Sequence, residues 1–125
     1  MGQTRDGGFA GGDLKWPSAW TRAVLAPCVL QLVRNRSQAY GYQIVQELNA
    51  HGLPGIGGGT VYPVLNRLEA DGRVCSEWRE GNGGPGRKFY RITEEGEAWL
   101  KQTAGSWQDF TARVATVMTL EGSPA

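Results

Sequence analysis

The chain has 125 residues, five tryptophans and 40% hydrophobic residues, which suits one domain with a small core and excludes a disordered polar chain. Its formal net charge of +1 gives no bulk electrostatic support for nucleic-acid binding, so any such function must rest on local clusters. No apolar run reaches about 18 residues and no charged-then-apolar leader is present, so a cytoplasmic protein without membrane contact is expected.

Residues 1–15 are glycine-rich and polar, and are expected to form a disordered arm. The next segment, residues 16–36, is dense in apolar side chains, among them Trp20, Val24, Leu25, Val29, Leu30 and Val33. Ser18 is placed to cap its start. Pro27 disfavours helical geometry at Ala26, so a kink or a meeting of two short helices is expected there. The segment is too apolar for a surface helix and should be covered on more than one side, by the domain and by a second subunit. Residues 40–49 read as a second helix with Ile44, Val45 and Leu48 inward, ended by Gly52 and Pro54.

Residues 59–71 read as a third helix. Val61, Val64, Leu65 and Leu68 form one apolar stripe, Pro63 falls in the first turn and Gly72 caps the end. Its other face carries Thr60, Tyr62, Asn66, Arg67 and Glu69, an inventory that suits phosphate oxygens and base edges in a major groove. A short glycine-rich connection between two short helices fits a helix-turn-helix, with this helix as the reading element. The period then changes to two. Residues 73–80 alternate, with Val74, Ser76 and Trp78 on one side and Cys75, Glu77 and Arg79 on the other. A glycine-rich tip and a second strand over residues 87–92 complete a hairpin whose base carries Arg87 and Lys88. Helix, helix, helix, hairpin is the order of a winged helix-turn-helix, a mainly α (α+β) fold.

Thr93 caps a last helix, with Glu94 and Glu95 in its first turn and Gly96 where a capping box would have an acid. Leu100, Thr103, Trp107, Phe110, Val114 and Val117 then step by three and four, a heptad seam that needs another surface. A two-fold partner supplies one, with Trp20 and Val24 beside it. Pairing would also offset the roughly 1 kcal/mol that Gly105 costs relative to alanine. The expected division is an arm over 1–15, a winged domain over 16–92, a dimerisation helix over 93–119 and a flexible tail over 120–125.

Cys28 and Cys75 lie far apart in apolar-patterned segments and read as buried structural thiols; with one histidine they make neither a disulfide framework nor a zinc site. No nucleophile–base pair, metal-ligand cluster or phosphate loop is found, so an enzyme, a metal and a cofactor are all rejected. Trp99 and Trp107 could floor an aromatic pocket between subunits or equally fill it.

The strings GYQIVQEL, GTVYPVLNRLEADG and GRKFYRITEEG, with a tryptophan on the last helix, resemble the PadR family of bacterial transcriptional regulators over about residues 20–118. The resemblance implies a homodimeric winged helix that binds a pseudo-palindromic promoter site and represses a neighbouring gene until an effector releases it. It implies DNA contacts by Tyr40, Tyr42, Thr60, Tyr62, Asn66, Arg67, Arg87 and Lys88. It also implies that Trp107, with Trp99 and Phe110 near it, contacts a flat aromatic effector. The base-edge readers are then Tyr62 and Asn66, and the phosphate ligands Arg67, Arg87 and Lys88. The low net charge leaves one alternative open, a winged-helix module that binds protein and not DNA.

Overall fold

A computed structural model describes residues 16–122 apart from Asn82. The arm expected over 1–15 and part of the tail therefore lie outside the described residues. The elements run α1 (Ser18–Arg36), β1 (Ala39–Tyr40), α2 (Gly41–Ala50), α3 (Gly58–Ala70), β2 (Val74–Gly81), β3 (Gly84–Ile92) and α4 (Glu94–Met118). The strands form one antiparallel sheet in the order β1-β3-β2.

Helices α1, α2 and α3 surround a core of Leu25, Val29, Leu30, Val33, Ile44, Leu48, Val61, Leu65 and Leu68, closed from the sheet side by Ala39, Val74 and Tyr90. The same apolar periodicity that marks α2 and α3 in the sequence supplies these side chains. Helix α1 runs unbroken through Pro27, against the expected kink or break. Burial of Leu25, Val29, Leu30 and Val33 on both sides of the proline outweighs a local penalty of about 3 kcal/mol. Ser18 is the first helical residue and Pro17 occupies the cap position, so the serine does not cap.

Helices α2 and α3 end on the same device. Gly52 and Gly72 take φ of +96° and +79°, a conformation open to glycine at little cost. The next N–H then turns back into the helix: Leu53 donates to the Leu48 carbonyl and Arg73 to the Leu68 carbonyl, each at 2.9 Å. Asn49 fixes the turn after α2. Its amide donates to the carbonyls of Val45 at 2.8 Å and Ile56 at 2.9 Å, and its side-chain oxygen accepts from the Gly55 N–H at 2.9 Å. One side chain thus sets the path by which the chain enters α3.

Strands β2 and β3 pair from Val74↔Ile92 to Gly81↔Gly84, with an irregularity between Arg79 and Gly81. At the other edge of β3, Ala39 pairs with Tyr90 and Tyr40 with Phe89. Thr93 joins the sheet to α4: its hydroxyl accepts from the Gly96 N–H at 3.0 Å and donates to the Gly72 carbonyl at 2.7 Å. The helix cap is therefore also a tie to the C-terminal turn of α3. Leu100, expected on a pairing seam, is 5% exposed and completes the protomer's own core. Beyond it α4 carries no fully buried residue.

Candidate nucleic-acid interface

The outer face of α3 is shaped by what lies beneath its aromatic residue. Tyr62 rests over the first turn of α2, where Gly41 has no side chain. A Cβ on Gly41 would stand 2.7 Å from Tyr62 Cζ and 2.9 Å from its hydroxyl. Glycine at this position is what lets the ring lie against α2 and hold a fixed place on the surface. Asn66 lies one turn later and is exposed, as are Thr60 and Arg67.

Between α3 and the wing lies an open cleft of about 480 Å³, whose walls include Tyr40, Tyr42, Tyr62, Asn66, Arg87 and Lys88. The fold thus gathers six of the eight residues expected to meet DNA. The other two stand to either side. Thr60 faces the groove between α1 and the loop before α3. Arg67 is 80% exposed on its side chain and reaches Asp71 at 3.4 Å, a solvent pair worth little.

The wing's cations are held in defined places. The Arg87 guanidinium lies 4.2 Å from the Tyr40 ring centroid and the Arg79 guanidinium 4.6 Å from that of Phe89. Tyr40 and Phe89 meet edge to face at 5.5 Å. The alternating cation–aromatic stack braces β1 against β3. Lys88 faces the other way, toward α3, with its Nζ 3.2 Å from Glu69 Oε1. The Ser76 hydroxyl donates to the second oxygen of the same carboxylate. That hydrogen bond and the Lys88 charge hold the Glu69 carboxyl below its ordinary range. Tyr90, just beneath, is pushed up by burial and stays a neutral phenol.

Trp78 belongs to this site and was not legible as such. The alternation puts it on one side of the strand with Val74 and Ser76, and it does share their side of β2. Yet it is 64% exposed, because the wing extends past the helix that covers Val74 and Ser76. Its indole lies along Gly86, where a Cβ would stand 2.7 Å from Trp78 Cε2. Cys75, on the opposite face of β2, is exposed and not the buried thiol expected, because among the described residues no helix covers that face. Cys28 is half-buried, and burial pushes its thiol pKa up.

A second, apolar groove of about 480 Å³ runs between α1 and α4, lined by Trp20, Val24, Trp107, Phe110, Val114 and Met118 among others. Trp107 and Phe110 sit 5.9 Å apart there, and Trp20 is 61% exposed. The structure separates Trp99 from this groove: its ring packs against the core, with the Arg73 guanidinium 4.2 Å above it. Among the described residues no group of histidine, cysteine or acidic side chains could hold a metal, and no helix is long and apolar enough to cross a membrane.

A family model for PadR-like transcriptional regulators matches residues 29–102. The chain belongs to the PadR-like family. It is 37% identical over 78 residues to the transcriptional regulator Rv3488 of Mycobacterium tuberculosis, covering 62% of this chain and 71% of that protein. The crystal structure of a PadR family transcriptional regulator from Eggerthella lenta superposes with a TM-score of 0.76 at 35% identity, over 83% of this chain and 89% of that one. A PadR-like regulator of Bacillus cereus gives 0.70 at 28% identity, over 82% and 99%. PadR-like proteins regulate transcription and are not enzymes. The mainly α fold with a small antiparallel wing is theirs too.

Proposed function

We propose that this PadR-like protein acts in the cytoplasm as a homodimeric repressor on a pseudo-palindromic promoter site. Each protomer sets α3 into a major groove, with half-sites about one helical turn apart. Tyr62 and Asn66 read base edges. Thr60, Tyr40, Tyr42, Arg67 and Arg87 meet the sugar–phosphate backbone beside them, and Lys88 stands at the wing base within reach of it. The observation that carries the reading is the cleft itself. Tyr62 and Asn66 of α3 and Arg87 and Lys88 of the wing line one cleft, although the net charge is only +1.

The winged part, residues 16–92, reads DNA, and residues 93–119 pair the protomers. Support for pairing is the apolar surface that α4 leaves open at Trp107, Phe110 and Val117, with Trp20 beside it. Thr103 and Val114 continue this face and Val24 lines the same groove. The flat walls of Trp107 and Phe110 suit a small aromatic effector whose binding would release the DNA.

The test is fluorescence anisotropy on the protein's own upstream promoter duplex, titrated with salt beside a scrambled duplex. Tight, salt-sensitive binding that prefers the promoter is expected, with one dimer per site. Failure to bind either duplex at low salt would refute the reading and favour a protein partner.

A further inference from the structure

We infer that Glu69 is a positioning residue that withholds Lys88 from the DNA backbone and so sets the absolute strength of binding rather than the choice of sequence. The inference rests on the DNA-binding reading above and refines it at one side chain.

Glu69 is the penultimate residue of α3, and its carboxylate reaches both strands of the wing. The register explains why. Trp78 pairs with Lys88 and Ser76 with Tyr90, so Ser76 and Lys88 are diagonal neighbours on the side of the hairpin that faces α3. One carboxylate oxygen takes the ammonium and the other takes the hydroxyl. Nearby acids do not share this position. Asp71, at the end of α3, pairs with Arg67 and Arg73, and Glu77 lies on the far face of β2 with Arg79.

The consequence concerns counterions. Each phosphate contact made by a cation releases counterions and adds about 0.9 to the slope of log affinity against log salt. A Lys88 engaged by Glu69 makes no such contact, and the carboxylate sets a negative charge directly beside this cleft-lining cation. Both effects weaken binding to any duplex, and neither depends on base sequence. The wing is thus fastened to the reading helix by the charge pair that keeps its cation from the phosphates.

The test compares Glu69→Gln with wild type in the full-length protein, on promoter and scrambled duplexes across a salt series. Glutamine keeps the shape and still accepts from Ser76, so the wing stays in place. Freed Lys88 should tighten both duplexes by roughly five- to tenfold per protomer at about 0.1 M salt and steepen the slope by about 0.9 per protomer. The ratio between the duplexes should not change. Adding Lys88→Gln to Glu69→Gln should restore the wild-type slope. If Glu69 only stabilised the wing, its loss would weaken binding and leave the slope alone. Wild type that binds DNA while Glu69→Gln keeps the same slope overturns this inference and spares the DNA reading. So does a steeper slope that persists in the double variant. Wild type that binds neither duplex overturns both.

Discussion

Gly96 offers a direct test of how the winged part is joined to α4. In an ordinary helix, glycine to alanine gains up to about 1 kcal/mol. Here the expected sign is reversed. Gly96 is buried in the first turn of α4 against the backbone of Arg73. A Cβ would stand 2.8 Å from Ile92 Cγ1 and 3.0 Å from the Arg73 carbonyl carbon, and closer still to the carbonyl oxygen. That oxygen accepts the Thr93 N–H at 3.1 Å. To reach normal contact the carbonyl must retreat by about 1 Å, and it cannot do so without straining this bond. Overpacking of this kind costs about 1–3 kcal/mol, and a weakened backbone hydrogen bond about 1 kcal/mol more. Set against the helix gain, Gly96→Ala should lose about 1–3 kcal/mol, or roughly 4–12 °C of melting temperature for a domain of this size. Gly105 is the control on the same helix, since nothing lies within 4 Å of a Cβ there. Gly105→Ala should hold or raise stability. Thermal and urea unfolding followed by far-UV circular dichroism, at matched protein concentration, would measure both. A Gly96→Ala protein as stable as wild type would refute the close approach, and with it the account of Thr93 as a tie between α3 and α4.

Three further outcomes are expected. Asn66→Ala should relax preference at one base pair by about 1–3 kcal/mol; equal losses on every operator variant would remove Asn66 from the base-reading set. Ellman's reagent should modify the exposed Cys75 quickly and Cys28 slowly, since burial raises the Cys28 pKa and lowers its thiolate fraction; equal rates would contradict that placement. Glu69 has its folded pKa depressed by Ser76 and Lys88, with Tyr90 adjoining. Its contribution to stability should therefore be complete above the unfolded value of about 4.3 and disappear as pH falls through the lower folded value. The melting-temperature gap between wild type and Glu69→Gln should close on acidification, and a gap that widens would contradict the sign.

Helices α2 and α3, the hairpin and the Thr93 cap were legible because each is encoded locally. Val61, Val64, Leu65 and Leu68 carry the helical period, and Gly52 and Gly72 announce the stops. Strand β1 was not legible. It has two residues, and its partners Tyr90 and Phe89 lie about fifty positions away. Pro27 misled because propensity is local whereas the burial that overrides it is not. Leu100 and Trp107 share one seam in sequence, but only the fold shows that the first lies over the core and the second beyond it. The same holds for Trp78: alternation assigns a face, not how far the covering helix reaches. Asn49 and the Glu69–Lys88 pair carry no periodic signal at all. Their roles come from geometry across a turn and between elements.

The sheet order β1-β3-β2 leaves the outer side of β2 unpaired among the described residues. Eight residues of such an edge could template addition of a strand from another chain. This edge is guarded. Glu77, Arg79 and Glu80 place charges along it, and the irregularity between Arg79 and Gly81 breaks its register near the tip. Protection against edge-to-edge pairing is therefore built into the wing beside its proposed role at DNA. Variants that neutralise those charges to alter operator affinity would also open a route to aggregation, and the two effects should be read separately.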